Sequence, residues 1–152
     1  MRNTGTLNVT TPTDREIVLT RTFGAPRRLV FDAFTKPLLL KRWFGPRGWS
    51  LVVCEVDLRV GSGFRFVLRG PDGRDMGMSG VYREIVPNRK LVYTWAWKTT
   101  PERESVVTIE LRAAGSGTEL TLRHEQFADE EARNRHEHGW KGCLARLERA
   151  VA

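Results

Sequence analysis

A change of hydrophobic period near residue 126 limits what this chain can fold into. Between residues 50 and 125, apolar and polar residues alternate in six short runs, separated by turns rich in glycine, proline and asparagine. Between residues 129 and 151 the apolar residues instead recur at the spacing of an amphipathic helix. Strands joined by short turns form an antiparallel meander. The sequence therefore predicts such a meander followed by one long helix.

The segment before the meander predicts one further strand and two short helices. Residues 16–23 alternate and include several β-branched side chains, which is typical of a strand. Pro26 suits the first turn of a helix, and Pro37 ends that helix and begins another that extends to Trp43. Residues 1–13 are polar and rich in threonine and asparagine, so we expect a flexible tail there.

The length of the terminal helix determines how the elements assemble. A helix over residues 129–151 is about 34 Å long, whereas twice the radius of gyration expected for this chain length is only about 30 Å. The helix must therefore lie along the whole domain, with the sheet curved around it. The sequence predicts an α+β helix-grip fold in one domain, residues 14–152. It consists of a seven-stranded antiparallel sheet wrapped around the C-terminal helix, with two short helices after strand 1.

Composition excludes several classes of protein. Hydrophobic residues make up 40% of the chain, which is enough for a folded core. No apolar run approaches the roughly 18 residues of a membrane span, and the first residues lack the apolar stretch of a secretory signal. The two cysteines, Cys54 and Cys143, are too few for a disulfide framework or a four-thiolate metal site. We expect a cytoplasmic protein with reduced thiols.

The positive charge of the chain does not indicate a nucleic-acid-binding protein. The net charge is +7, but arginines alternate with acidic residues along the chain, as in Arg83-Glu84 and Glu148-Arg149. A nucleic-acid-binding face normally clusters its basic residues and places stacking aromatics among them. We therefore expect a solvated arginine-rich surface and no nucleic-acid partner.

Five segments carry a resemblance to a known family. They are RTFGAPRRLVFDAFT at 21–35, KRWFGP at 41–46, EVDLRVGSGFRFVLRGPDG at 55–73, MSGVYREIVPNRKLVYTW at 78–95 and HGWKGCLARL at 138–147. With them the chain resembles the SRPBCC superfamily (START-like, birch-pollen-allergen-like), in the branch named for the activator of heat-shock protein 90 ATPase. This superfamily uses one cavity for lipid transport, hormone sensing and polyketide cyclisation, so the resemblance implies a fold more specifically than a function. The co-chaperone that named the branch has a further N-terminal domain that this sequence lacks, so chaperone activation is not implied.

The candidate site is the space between the sheet and the terminal helix. A helix alone cannot fill a sheet curved around it, and aromatic side chains that point into the gap would form a ligand pocket. The alternative is that the same aromatic residues simply fill the core. The residues predicted to border a cavity are Trp43, Phe66, Met78, Tyr82, Trp95, Trp97, His124, His136 and Trp140.

Two of these residues raise the question of catalysis. His124 shares a strand face with Leu120 and Leu122, and His136 lies on the apolar stripe of the helix, so both are expected to point inward. They can orient a ligand, act as an acid/base pair, or be structural histidines whose hydrogen bonds are satisfied. The histidine spacing matches no zinc motif. We assign no catalytic residue and predict neither a metal nor a cofactor.

Three functions are compatible with these features of the sequence. The first is a carrier, sensor or stress-related protein that binds a hydrophobic or aromatic small molecule. The second is an enzyme similar to polyketide cyclases or dehydratases that uses the same cavity, and the sequence leaves open whether any reaction is catalysed. The third is a co-chaperone-like module that binds another protein. A homodimer is kept as an alternative to a monomer.

Overall fold

The computed structural model describes residues 6–152, and these residues form eight strands and three helices. The strands are β1 (Asn8–Thr13), β2 (Glu16–Phe23), β3 (Ser50–Val56), β4 (Gly63–Arg69), β5 (Asp75–Val86), β6 (Lys90–Trp97), β7 (Ser105–Ala114) and β8 (Gly117–Glu125). The helices are α1 (Arg27–Thr35), α2 (Pro37–Trp43) and α3 (Glu130–Ala150).

The strands form one antiparallel sheet in the order β1-β2-β8-β7-β6-β5-β4-β3. The meander β3 to β8 runs through consecutive neighbours, and β2 pairs with β8 in an unbroken register from Glu16 opposite Glu125 to Phe23 opposite Thr118. Register shifts in β3 and β5 interrupt the ladder, and β-bulges of this kind increase the local bend of a sheet. The α+β helix-grip fold predicted from the sequence is confirmed.

The number of strands is eight rather than the predicted seven. Residues 8–13, which the sequence placed in a flexible tail, form the edge strand β1 and pair with β2, with Val9 opposite Leu19. The remainder of the predicted tail, residues 1–5, lies outside the described residues. The prediction failed because both faces of β1 are mostly exposed, with only Val9 partly buried, so the strand lacks the alternation that marked the other strands. Its β-branched threonines suit a strand, and Pro12 is tolerated at an edge because it lacks an N–H.

Helix α3 packs unevenly along its length. Asp129 caps its N-terminus by accepting a hydrogen bond from the N–H of Ala132 at 2.8 Å. In its C-terminal half, Cys143, Leu144 and Leu147 are buried, whereas residues 133–139 are all at least partly exposed. The sheet is therefore covered closely by one half of the helix and more loosely by the other.

The two short helices close one end of the domain. Trp43, the last residue of α2, is fully buried and donates its indole N–H to the carbonyl of Ala33 in α1 at 2.8 Å. The ring of Phe34 contacts Trp43 edge to face at 4.8 Å between centroids. Because Trp43 joins both helices to the core, it acts as a structural anchor. None of the helices in the described part of the chain has the length and hydropathy needed to cross a lipid bilayer.

Substitutions on opposite faces of α3 test which face of the helix packs against the core. Trp140→Ala and Leu144→Ala should each lower the free energy of unfolding by about 2–5 kcal/mol, because both side chains are buried. His138 is exposed on the other face, so His138→Ala should change it by no more than about 0.5 kcal/mol. Chemical denaturation measures all three, and a larger loss at His138 than at Leu144 would contradict this orientation of the helix.

Candidate functional site

A cavity of about 440 Å³ lies where the N-terminal half of α3 leaves the sheet loosely covered. The helix contributes one wall, the ends of β6 and β7 another, and the loop after α2 a third. The residues that line it are Phe44, Gly45, Pro46, Trp49, Leu68, Met76, Trp95, Trp97, Thr99, Thr100, Arg103, Ser105, Phe127, Ala128, Ala132, Arg135, His136, Gly139, Trp140 and Cys143.

Four of the nine residues predicted to border a cavity line this one. They are Trp95 and Trp97 on β6 and His136 and Trp140 on α3. The remaining five are buried in the core and are not part of the cavity lining: Trp43, Phe66, Met78, Tyr82 and His124. All five side chains are buried in the core. The cavity, however, occupies only one end of the space between sheet and helix, and aromatic packing such as Phe66 against Phe44 fills the rest.

The loop between α2 and β3 contributes residues that the sequence did not assign to the site. Phe44, Pro46 and Trp49 line the cavity from this loop. The loop is held against α3 by the N–H of Gly45, which donates to Cys143 Sγ at 3.3 Å, and by Arg146, which donates to the carbonyl oxygens of Gly45 and Trp49. Gly45 has a φ of +117°, a conformation that favours glycine. The only sequence signal was the aromatic and glycine content of KRWFGP, which by itself indicates only a loop.

His124 belongs to a chain of hydrogen bonds beneath the cavity wall. The indole N–H of Trp140 donates to His124 Nδ1 at 2.9 Å, and His124 Nε2 lies 2.7 Å from the hydroxyl of Ser105. An indole nitrogen only donates, so Nδ1 must hold a lone pair and the proton must lie on Nε2. His124 therefore donates to Ser105, and Ser105 donates to the carbonyl of Trp95 at 3.2 Å.

His136 on the helix is also held by two hydrogen bonds, but in the opposite tautomer. The indole N–H of Trp97 donates to His136 Nε2 at 2.9 Å, and His136 Nδ1 lies 2.7 Å from the carbonyl oxygen of Ala132. Nδ1 must then carry the proton and donate to that carbonyl. Both ring nitrogens are occupied, as they are in His124. Burial lowers the pKa of both histidines, most strongly that of His124, where the nearby His136 adds to the effect.

The direction of these hydrogen bonds decides between the roles considered for the histidines. A histidine that activates a serine must accept the hydroxyl proton on Nε2 while an acceptor such as a carboxylate holds Nδ1–H. Here a tryptophan donor occupies Nδ1 of His124, so the proton is already on the nitrogen that faces Ser105. For His124 the geometry therefore favours a structural role. His136 has the opposite tautomer, and its Nε2 lone pair is already occupied by the indole N–H of Trp97.

The thiols show no sign of nucleophilic activation. Burial raises the pKa of Cys143, which lines the cavity, to about 12 and that of Cys54 to about 11. Thiols with such pKa values are protonated and unreactive near neutral pH. Both cysteines are free. In residues 6–152, no group of three or more His, Cys, Asp or Glu side chains is placed to hold a metal ion.

Several polar groups of the cavity wall are hydrogen-bond donors, namely the indole and guanidinium N–H groups. Trp95 is largely buried, and its indole N–H has no hydrogen-bond partner among the described residues. The charged residues in the lining are both arginines, Arg103 and Arg135, and none of the lining residues is acidic. The remaining wall is dominated by aromatic rings, so the cavity suits an apolar molecule better than a highly polar one.

Comparison with known families identifies this architecture. The family model described as "Activator of Hsp90 ATPase homolog 1-like protein" matches residues 24–152. The chain belongs to this family. The resemblance inferred from the sequence motifs is thereby confirmed, and the cavity lies within the matched region.

Solved structures that share the fold are distant in sequence. A protein from Chromobacterium violaceum is 28% identical and has a TM-score of 0.85, with 91% of this chain and 98% of that chain covered. The AHSA1 protein from Silicibacter pomeroyi is 25% identical, with a TM-score of 0.79 over 88% of this chain and 95% of that one. CalU16 from Micromonospora echinospora is 26% identical, with a TM-score of 0.67 over 100% and 85%. The curated proteins contain no significant match to the chain.

The neutral state of His124 predicts a dependence of stability on pH. The unfolded chain has a histidine pKa of about 6.5, whereas the folded value is lower. Between these two values the unfolded state binds more protons, so the free energy of unfolding falls as the pH falls below about 6.5. Each such histidine contributes a slope of at most about 1.4 kcal/mol per pH unit. His124→Gln removes one titrating group and should make the slope shallower.

This dependence is measured by urea denaturation at several pH values between about 7.5 and 5. The pKa of His136 is also lowered, so His136 still contributes to the pH dependence of stability in the His124→Gln variant. His138→Ala provides the control, because that imidazole is exposed. An unchanged slope in His124→Gln would show that His124 is not held neutral in the folded protein.

Proposed function

We propose that this protein binds a hydrophobic or aromatic small molecule in the cavity beside α3 and acts as a carrier or sensor in the cytoplasm. The observation that carries the proposal is the space itself: about 440 Å³ walled by aromatic side chains, where a closely packed helix would have left none. Ligand cavities in proteins commonly measure about 300–1,000 Å³. The two free thiols are typical of a reducing compartment.

The aromatic walls indicate the shape of the ligand. Trp49, Trp95, Trp97 and Trp140 line the cavity together with Phe44 and Phe127. Such rings provide large flat surfaces with little conformational freedom, and they bind flat or ring-containing molecules through stacked and edge-to-face contacts. Since four of the five tryptophans line the cavity, occupation of it should change the tryptophan fluorescence of the protein.

The two alternative functions have less support. A cyclase-like enzyme needs a group that exchanges protons with its substrate, whereas both inward histidines already use both ring nitrogens. A protein-interaction module is favoured by a filled core and a continuous exposed apolar patch. The most exposed large apolar side chains, Leu38 and Val60, lie on different elements, one on α2 and one in the loop after β3.

Gly139 offers a test that separates binding from folding. It lies in α3 and lines the cavity, and the nearest atom to a Cβ built there is Cγ of Pro46 at 4.0 Å. Gly139→Leu would place a side chain in the cavity. It also replaces the glycine by a better helix former, which is worth up to about 1 kcal/mol. The variant should be at least as stable as the wild type and should bind N-phenyl-1-naphthylamine, an uncharged aromatic probe, at least about tenfold more weakly.

Ala145→Leu is the matched control, because it adds a leucine at an exposed position of the same helix. It should leave probe affinity unchanged. Fluorescence titration gives the affinities, and thermal denaturation gives the stability. Equal affinity in wild type and Gly139→Leu would mean that the probe binds elsewhere. The absence of any response across a panel of aromatic and aliphatic probes would reject the proposed function.

A further inference from the structure

We infer that the natural ligand is an apolar acid: a ring-containing or aliphatic body that lies against the aromatic walls and a single anionic group that lies between Arg103 and Arg135. The inference rests on the proposed function and specifies the ligand's chemistry. These arginines are the charged residues among the cavity-lining residues, and each is about half exposed. The two guanidinium groups therefore lie at the solvent-accessible edge of the apolar cavity.

The acidic neighbours of the two arginines lie outside the cavity lining. Arg103 Nη1 is 3.8 Å from Asp129 Oδ2, and Arg135 Nη1 is 2.9 Å from Glu131 Oε1. Asp129 is also committed to capping α3, since Oδ1 accepts from the N–H of Ala132. Each pair involves one terminal nitrogen of its guanidinium, and a guanidinium has five N–H donors. Donors remain on both arginines for a carboxylate or a similar group.

The uncharged part of the wall agrees with a ligand that accepts hydrogen bonds. The indole N–H of Trp95 has no partner in the described part of the chain, although the side chain is largely buried. The hydroxyl proton of Ser105 is directed to the carbonyl of Trp95, and the histidine protons are directed to Ser105 and Ala132. An unused buried donor is rare in proteins, and a hydrogen-bond acceptor on the ligand could pair with this N–H.

An anionic group at the margin also has a physical advantage over one placed deeper. A charge that remains partly hydrated avoids most of the desolvation cost, while the guanidinium groups contribute charge-assisted hydrogen bonds. The apolar body can meanwhile displace water from the aromatic walls. Affinity for the acid should therefore exceed affinity for the same molecule without the charge, and salt should reduce the difference.

Two probes that share one framework test the inference. 8-Anilino-1-naphthalenesulfonate is N-phenyl-1-naphthylamine with an added sulfonate, so the pair isolates the effect of the anion. In low salt the sulfonate probe should bind the wild type about fivefold more tightly than the uncharged probe. The double variant Arg103→Gln/Arg135→Gln should lose this preference and keep its affinity for the uncharged probe.

The matched control is Arg65→Gln/Arg112→Gln. Arg65 is 55% exposed and pairs with Glu55 at 2.9 Å, whereas Arg135 is 58% exposed and pairs with Glu131 at the same distance. Arg112 pairs with Glu119 at 2.7 Å. Both double variants remove two positive charges, so an effect of the overall net charge would appear equally in each. The control should keep the wild-type preference.

The outcomes are distinguishable. If the wild type binds the uncharged probe as tightly as the sulfonate probe, the inference is wrong and the proposed function stands. If both double variants lose the preference equally, the anion responds to the net charge of the protein and the inference is likewise overturned. If neither probe binds, the proposed function fails and this inference fails with it.

Discussion

The unequal packing of α3 against the sheet is the constraint from which both the core and the cavity follow. In the C-terminal half of the helix, Leu144 and Leu147 are fully buried, and each contributes about 1.5–3 kcal/mol of hydrophobic stabilisation. In the N-terminal half, residues 133–139 are at least partly exposed, and the last of them is a glycine with no side chain to fill the gap. Since the helix is one rigid element, its fixed half holds the other half away from the sheet and keeps the space open.

Two tryptophan–histidine hydrogen bonds connect α3 to the sheet, one at the middle of the helix and one in its N-terminal half. One is donated from helix to sheet, by Trp140 to His124, and the other from sheet to helix, by Trp97 to His136. Losing the bond between Trp140 and His124 would leave a buried polar group without a partner, at a cost of about 1–3 kcal/mol. Because indole and imidazole are rigid planar groups, the two bonds also fix the distance and rotation of α3 relative to β6 and β8. They therefore help to prevent the helix from collapsing onto the sheet and closing the cavity.

The fold could be predicted from the sequence where an element buries one of its faces, because apolar residues then recur at the spacing of a strand or a helix. Alternating burial is clearest in β4 and β8, and α3 shows its buried stripe, whereas β1 has too little burial to show a pattern. The inward direction of Phe66 and Tyr82 was predicted for the same reason, and both are buried. The spacing of apolar residues, however, does not show which part of the sheet's inner face is covered by packed side chains and which part borders a cavity. That depends on the tilt of α3 and on the loop that holds Phe44 and Trp49, and both are tertiary features set by contacts such as Arg146 with the carbonyls of that loop.

Residue types alone would have suggested a hydrolytic site here, since a serine hydroxyl lies 2.7 Å from a histidine at the wall of a cavity. The direction of the hydrogen bonds leads to the opposite conclusion. In a catalytic triad the group behind the histidine accepts a hydrogen bond from Nδ1–H, which leaves a lone pair on the nitrogen that faces the serine. Trp140 instead donates, so His124 is held neutral with its proton on the side of Ser105 and has no lone pair to offer there. The hydroxyl of Ser105 donates a hydrogen bond to the carbonyl of Trp95, which is the last acceptor of this hydrogen-bonded chain. This hydrogen-bond network therefore supplies no general base for Ser105, which is consistent with the proposal that the cavity binds a small molecule without reacting with it.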